Sequence, residues 1–299
     1  SMERFDKILS IDEKNLQVIT QPGVITEVLQ KAVAEKGLFY PVDPSSKGSC
    51  FIGGNIAENS GGARAVKYGV TQDYVLNLEV VLPNGEIIYT GANTLKNATG
   101  YNLTQLFVGS EGTLGIVTKI ILKLIPAVKS NVLMLVPFYK MEEAAEAVSA
   151  IFRAGIVPSA LEFMERDAID WTTKYCDVPD LNLNDEIQAH LLIEVDGNYP
   201  EIFMQEAEKI LEVVEQYQVD EILFADTEEQ KNSLWKLRRN VAEAVKQNTV
   251  YKEEDTVVPR FELPKLLMGI KAIGSKYGFK SICYGHAGDG NLHVNIVKL

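Results

Sequence analysis

Residues 49–62 read Ser49-Cys50-Phe51-Ile52-Gly53-Gly54-Asn55-Ile56-Ala57-Glu58-Asn59-Ser60-Gly61-Gly62, and this stretch sets the terms for the first half of the chain. Four glycines fall in ten residues, with alanine and serine between them. Glycine has no Cβ, so backbone amides here can approach a ligand closely. Turns of this kind form anion-binding nests of N–H groups. Composition alone equally allows a tight loop with no ligand, because a lone glycine-rich loop is a weak signal. It is neither a Rossmann nor a Walker loop: GxGxxG and Gly-Lys-Ser/Thr are both absent.

A second stretch runs Asn97-Ala98-Thr99-Gly100-Tyr101-Asn102-Leu103, then Leu106-Phe107-Val108-Gly109-Ser110-Glu111-Gly112-Thr113-Leu114-Gly115-Ile116-Val117-Thr118. Gly109, Gly112 and Gly115 are evenly spaced before a β-rich run. With Asp43-Pro44-Ser45-Ser46 these make three segments suited to wrapping one ligand. Around them the pattern predicts a strand at Leu16 to Thr20 and an amphipathic helix at Thr26 to Lys36. Tyr74 to Leu82 and Glu86 to Tyr89 read as a hairpin about Asn84-Gly85, a pair that tolerates positive φ at both turn positions. A helical turn is expected at Leu103 to Val108 and a strand at Ile116 to Leu124.

After Pro126 short apolar runs alternate with longer helical ones. Strands are predicted at Val132 to Val136, Leu161 to Met164, His190 to Val195, Glu221 to Phe224, Thr256 to Val258, Ser281 to Tyr284 and Leu292 to Val297. Helices are predicted at Met141 to Arg153, Ile202 to Gln216, Glu228 to Lys246 and Leu263 to Tyr277. The expectation is α+β throughout, with domains at 1–125 and 126–299 and an antiparallel sheet covered by helices in the second.

Bulk properties narrow the function classes. The 299 residues fit two ordinary domains, and 46% apolar with 23% charged residues is the balance of a globular protein. No apolar run is long enough to span a membrane. A net charge of −12 repels phosphate backbones and disfavours nucleic acid. Cys50, Cys176 and Cys283 are scattered and form no CxxC, which disfavours a disulfide framework or an iron–sulfur cluster and favours a reducing cytoplasm.

The C-terminal stretch is Tyr284-Gly285-His286-Ala287-Gly288-Asp289-Gly290-Asn291-Leu292-His293-Val294-Asn295. Two of the chain's three histidines stand here, and a hairpin through Gly288-Asp289-Gly290 would set His286 beside His293. Such a pair suits a divalent metal of the zinc, iron or manganese type, with a third ligand from elsewhere, although on the residues alone two rings that hydrogen-bond locally are the commoner outcome. His190 precedes an apolar run and reads as structural. Arg238, next to Trp235 on a probable helix, could grip a carboxylate with two parallel hydrogen bonds. The run Glu253-Glu254-Asp255 reads as solvated charges at the start of a strand.

Taken together, PSS, IGGNIAENSGG, KYG, NATGYNLTQLFVGSEGTLGIVT and HAGDGNLH resemble the vanillyl-alcohol oxidase type of FAD-linked oxidases, with a p-cresol-methylhydroxylase-type FAD-binding domain. Within that group they resemble the branch of glycolate oxidase flavin subunits, D-lactate dehydrogenases and D-2-hydroxyglutarate dehydrogenases. The resemblance implies that Pro44, Ser45, Ser46, Gly53, Gly54, Asn55, Ala57, Glu58, Ser60, Gly61 and Gly62 run along FAD. It implies the same of Glu111, Gly112, Gly115, Ile116 and Val117, although Glu111 could instead be a carboxylate that holds its loop. HAGDGNLH matches the branch's HxGDGNxH motif, so His286 and His293 are implied to be catalytic and metal-binding, and Arg238 and Asn291 to meet the substrate.

The function so implied is oxidation of a small 2-hydroxy acid to a 2-oxo acid by hydride transfer to flavin. A separate electron acceptor (an electron-transfer flavoprotein, an iron–sulfur subunit or a quinone) is implied too, and a homodimer is left open. The family's PxGxGT-type loop and a later Glu-His-Gly segment are not found, so a chain cut at both ends, holding FAD weakly, is expected. Two other readings stand beside it: a non-catalytic piece of such a flavoprotein, and a related flavoenzyme acting on a phenol or another alcohol.

Overall fold

The computed structural model describes residues 2–178 and 184–298. The chain divides into two compact units, Ser1–Val128 and Lys129–Leu299, each around its own apolar core. Both combine antiparallel sheet with helices, an α+β architecture.

The first unit contains, in order, β1 (Ile8–Asp12), β2 (Gln17–Thr20), α1 (Thr26–Ala34), β3 (Leu38–Phe39), α2 (Ile52–Glu58), α3 (Ala65–Tyr68), β4 (Val75–Val81), β5 (Ile87–Tyr89), α4 (Leu103–Phe107), β6 (Ile116–Lys123) and β7 (Ile125–Pro126). Its main sheet has the order β1-β2-β6-β4-β5, and β3 pairs with β7. Leu29 and Val33 of α1 and Ile52 and Ile56 of α2 share one core with Leu78, Val80, Ile120 and Leu122 of the sheet.

Two sequence expectations are corrected here. Gly53 to Glu58 form a helix rather than a loop, because Ile52 and Ile56, one turn apart, bury the same face and outweigh two helix-weakening glycines. In the β4–β5 connection only Gly85 takes positive φ; the Asn84 side chain instead accepts a hydrogen bond from the Glu86 amide.

The second unit contains β8 (Ser130–Phe138), α5 (Met141–Arg153), β9 (Ala160–Glu165), α6 (Arg166–Tyr175), β10 (Ala189–Gly197), α7 (Pro200–Val214), β11 (Leu223–Ala225), α8 (Glu228–Asn248), β12 (Tyr251–Val257), α9 (Leu263–Tyr277), β13 (Lys280–Gly285) and β14 (Asn291–Val297). Its strands pair antiparallel in the order β11-β8-β10-β9-β13-β14-β12. Alternation sorts each strand by face. Leu161, Phe163, Leu191, Ile193, Cys283, Leu292 and Val294 pack against α5, α7 and α9. Glu162, His190, Glu194 and His293 fall on the opposite face, where α8 lies through Trp235 and Arg238. A capping box opens α8: Thr227 Oγ1 accepts from the Gln230 amide at 3.2 Å and Gln230 Oε1 from the Thr227 amide at 3.0 Å. Three features differ from the sequence expectation. Strand β1 and helix α6 fall outside the predicted elements, although α6 buries Ala168, Ile169 and Thr172 along one face, and β12 starts at Tyr251, which puts Glu253-Glu254-Asp255 inside a strand.

His190 lies within β10 opposite Pro137 and Met164, fully buried, and neither ring nitrogen has a hydrogen-bond partner among the described residues. Burial, reinforced by Arg166, pushes its pKa down to about 3 from the ordinary 6.5. Between those values the unfolded chain binds the extra proton. Stability therefore falls as pH drops through that window, by up to about 1.4 kcal/mol per pH unit. His190→Leu is expected to flatten this dependence in urea titrations across the window; an unchanged slope would show that another group governs acid sensitivity.

Candidate functional site

In the first unit the two small-residue segments are joined directly. The Gly109 amide donates to the Ile56 carbonyl at 2.8 Å and the Glu111 amide to the Ala57 carbonyl at 3.0 Å. The second segment thus caps the C-terminal end of α2, and Glu111 adopts a left-handed φ of 51° to do so. Between them opens a largely apolar cavity of about 390 Å³, lined by Phe51, Gly53, Gly54, Ile56, Ala57, Phe107, Ser110, Gly112, Gly115, Ile116 and Val117 and by Met2, Glu3, Pro22 and Gly23.

The glycines divide by what surrounds them. A Cβ on Gly53 would stand 2.6 Å from Pro22 Cβ, one on Gly115 2.6 Å from Val80 Cγ1, and one on Gly62 2.0 Å from the Asp43 carbonyl oxygen. These three are required by packing. A Cβ on Gly54 or Gly112 would meet nothing within 4 Å, and both face the cavity. Those two positions leave flat backbone exposed to a ligand.

Of the residues proposed along a cofactor, Gly53, Gly54, Ala57, Gly112, Gly115, Ile116 and Val117 line this cavity. Pro44, Ser45, Ser46, Asn55, Glu58, Ser60, Gly61, Gly62 and Glu111 are not part of its wall. The Asn55 side chain is buried and donates to Thr26 Oγ1 at 2.7 Å, so it holds α2 to α1. The amides of Ile52 and Gly53 are taken by the carbonyls of Val24 and Pro22, so the start of α2 does not form the anion nest suggested by its glycines.

In the second unit β13, a single 3-10 turn at Ala287–Asp289, and β14 bring the histidines together, with ring centroids 5.8 Å apart. Gly290 makes the turn possible: its φ is +83°, and a Cβ there would stand 2.0 Å from the Val258 carbonyl oxygen. His286 Nδ1 lies 2.8 and 2.9 Å from the two carboxylate oxygens of Glu162. Arg238 Nη2 lies 2.6 Å from Glu162 Oε2, and the Arg238 guanidinium stands 5.0 Å over the Tyr284 ring. Tyr284 in turn stacks on His293 at 5.2 Å. His293 Nδ1 lies 3.2 Å from Glu253 and 3.6 Å from Asp255. Asn291 Nδ2 is engaged by Asp255 at 2.6 Å and the Thr256 carbonyl at 3.0 Å, so that side chain fixes the β12–β14 pairing.

Burial would raise the Glu162 pKa, but His286 and Arg238 outweigh it and hold the carboxyl below its ordinary value. Burial would likewise depress His286, yet Glu162 raises its pKa above the ordinary histidine value. For His293 burial prevails over Asp255, and its pKa is lowered. Glu162, Tyr284 and Asp255 are absent from the sequence-level site. The one signal for Glu162 was a carboxylate in the middle of the apolar run Ala160–Glu165. Among the described residues no group of three His, Cys, Asp or Glu side chains is placed to hold a metal ion.

Solved structures share this fold: alkyldihydroxyacetonephosphate synthase at TM-score 0.78 and 17% identity, covering 99% of this chain and 57% of that one. The substrate-bound structure of p-cresol methylhydroxylase follows at TM-score 0.74 and 16% identity, covering 99% and 64%. Residues 127–298 match the C-terminal domain of FAD linked oxidases and residues 1–91 an FAD binding domain; the chain belongs to the FAD linked oxidases. It is 45% identical to the glycolate oxidase subunit GlcD of Bacillus subtilis over 97% of this chain and 61% of that protein. It is 40% identical to a D-lactate dehydrogenase of Anaerostipes hadrus, covering 98% and 62%, and 35% identical to a D-2-hydroxyglutarate dehydrogenase of Stutzerimonas stutzeri, covering 100% and 64%. The chain therefore spans less than two thirds of the length of these relatives.

The sorting of the glycines has a direct test in thermal melts. Gly53→Ala is expected to destabilise by about 1–3 kcal/mol through overpacking. Gly54→Ala is expected to stabilise by about 0.5–1 kcal/mol, as an exposed helical glycine replaced by alanine does. Equal effects would mean that Gly54 is also held by packing.

Proposed function

We propose that this chain serves an FAD-dependent dehydrogenase that oxidises a small 2-hydroxy acid, of the size of glycolate, D-lactate or D-2-hydroxyglutarate, to the 2-oxo acid. The observation that carries the reading is the His286–His293 pair, backed by Glu162 and Arg238 on one sheet face. Relatives named as glycolate oxidase subunit, D-lactate dehydrogenase and D-2-hydroxyglutarate dehydrogenase support it.

The first unit's cavity fits a flat ring system. Its walls are apolar, and Gly54 and Gly112 present backbone where a side chain would fill the space. FAD bound there supplies the hydride acceptor. Ala57, Ile116 and Val117 would exclude water from it, and Gly115 keeps that wall close to β4. Pro44, Ser45 and Ser46, with Glu58, Ser60, Gly61 and Gly62, would follow the rest of the dinucleotide; Glu111 contributes through its capping backbone.

In the second unit His286 would take the proton of the α-hydroxyl as general base, with His293 beside it. Arg238 Nε is buried without a hydrogen-bond partner among the described residues, a donor suited to the substrate carboxylate. Asn291 would act by holding β12 against β14 beside the histidines. In the alternative in which His286 and His293 hold a zinc, iron or manganese ion, that ion would make the hydroxyl more acidic, His286 would be a ligand and not the base, and the two imidazoles supply only two of the ligands. The hairpin favours a hydroxy acid over a phenol or other alcohol.

Electrons would leave to a separate acceptor, an electron-transfer flavoprotein, an iron–sulfur subunit or a quinone, and a homodimer belongs to the same proposal. No helix among the described residues is long and apolar enough to cross a membrane, and the cysteines are unpaired, which suits the cytoplasm.

Anaerobic mixing of the FAD-saturated protein with glycolate, D-lactate or D-2-hydroxyglutarate is expected to bleach the flavin, with His286→Ala slowing the step about 10²–10⁴-fold. A protein that takes up FAD and is bleached by none of these acids would have another substrate. One that stays colourless with excess FAD would be the non-catalytic piece.

A further inference from the structure

We infer that Glu162 is the positioning residue of the histidine pair: its carboxylate holds the Nδ1 proton of His286 and thereby turns the bare Nε2 outward. The catalytic consequence rests on the function proposed above; the state of the ring does not.

The geometry leaves little freedom. Glu162 is 1% exposed, and both its oxygens lie within hydrogen-bond distance of His286 Nδ1. Arg238 carries only donors, and an ionised carboxylate only accepts, so Nδ1 must be the donor in its contact. A Glu–Arg pair that served packing alone would be complete without the imidazole. Here the carboxylate reaches two elements at once, α8 through Arg238 and the β13–β14 turn through His286. Carboxylate-backed histidines of this kind have their tautomer and ring orientation set by the acid.

The amide variant separates this role from simple packing. In Glu162→Gln the side chain keeps one acceptor oxygen. Arg238, with donors only, takes that oxygen and leaves the amide N–H₂ against His286 Nδ1. Nδ1 must then accept, and the proton moves to Nε2.

The chain has three histidines, so selective ¹⁵N-histidine labelling gives a spectrum simple enough to assign by replacing His190 and His293 in turn. At alkaline pH, with every ring neutral, His286 of the unaltered chain is expected to carry its proton on Nδ1. Glu162→Gln is expected to move it to Nε2 and, in the FAD-loaded enzyme, to lower kcat about 10–100-fold with a smaller change in KM. Glu162→Asp, which restores the acceptor pair, should return the proton to Nδ1.

A neutral His286 protonated on Nε2 in the unaltered chain overturns the inference, and this measurement needs no variant to fold. A tautomer unmoved by Glu162→Gln, or a kcat unmoved when the tautomer does shift, also overturns it. If the tautomer shifts as expected and no hydroxy acid reduces the flavin, the ring assignment stands and the substrate reading falls.

Discussion

A carboxylate on the buried face of a β-sheet is destabilising unless charges and hydrogen bonds surround it. Glu162 meets that condition with one guanidinium and one imidazole, from parts of the chain 76 and 124 positions away in sequence. The requirement runs in both directions. Without Glu162, Arg238 would be a buried cation over the Tyr284 ring, and His286 would lose the contact that raises its pKa. β9, α8 and the β13–β14 turn are therefore coupled by one group. The Arg238–Tyr284–His293 stack extends the coupling across the site to β14. The order of this side-chain cluster comes from these contacts, which reach β9, α8 and β14.

The first unit is organised by backbone. Two carbonyls at the end of α2 receive the amides of Gly109 and Glu111, and the cavity is the space left between the helix and the segment so attached. Glycines serve two separate ends there. Some let protein approach protein, and two keep a wall clear. The sequence motif mixes the two kinds, and only the surroundings of each Cα separate them.

That distinction marks how far the sequence could be read. The alternation in Leu292 to Val297 and the three-to-four period of Met141 to Arg153 and Leu263 to Tyr277 are strong, and those elements stand where the pattern puts them. HAGDGNLH announces its turn through glycine and aspartate, and its histidines do meet. Other features lacked a local signal. α2 is a helix because Ile52 and Ile56 find a core, a tertiary effect that two glycines conceal. Glu162 belongs to no motif, and its partners are distant in sequence. Glu253 and Asp255 look like surface charges, and only the register of β12 against β14 places Asp255 opposite His293.

That register has one more consequence. β12 ends the sheet order, so one side of its backbone has no strand partner among the described residues. Such a margin invites self-association by strand addition, and charge is the usual deterrent. Lys252, Glu253, Glu254 and Asp255 give β12 an exposed, mostly anionic border. The carboxylates beside His293 thus also lie on the strand margin where charge discourages strand addition. Neutralising them to retune the imidazole would remove that deterrent, which ties the electrostatics around His293 to the colloidal behaviour of the molecule.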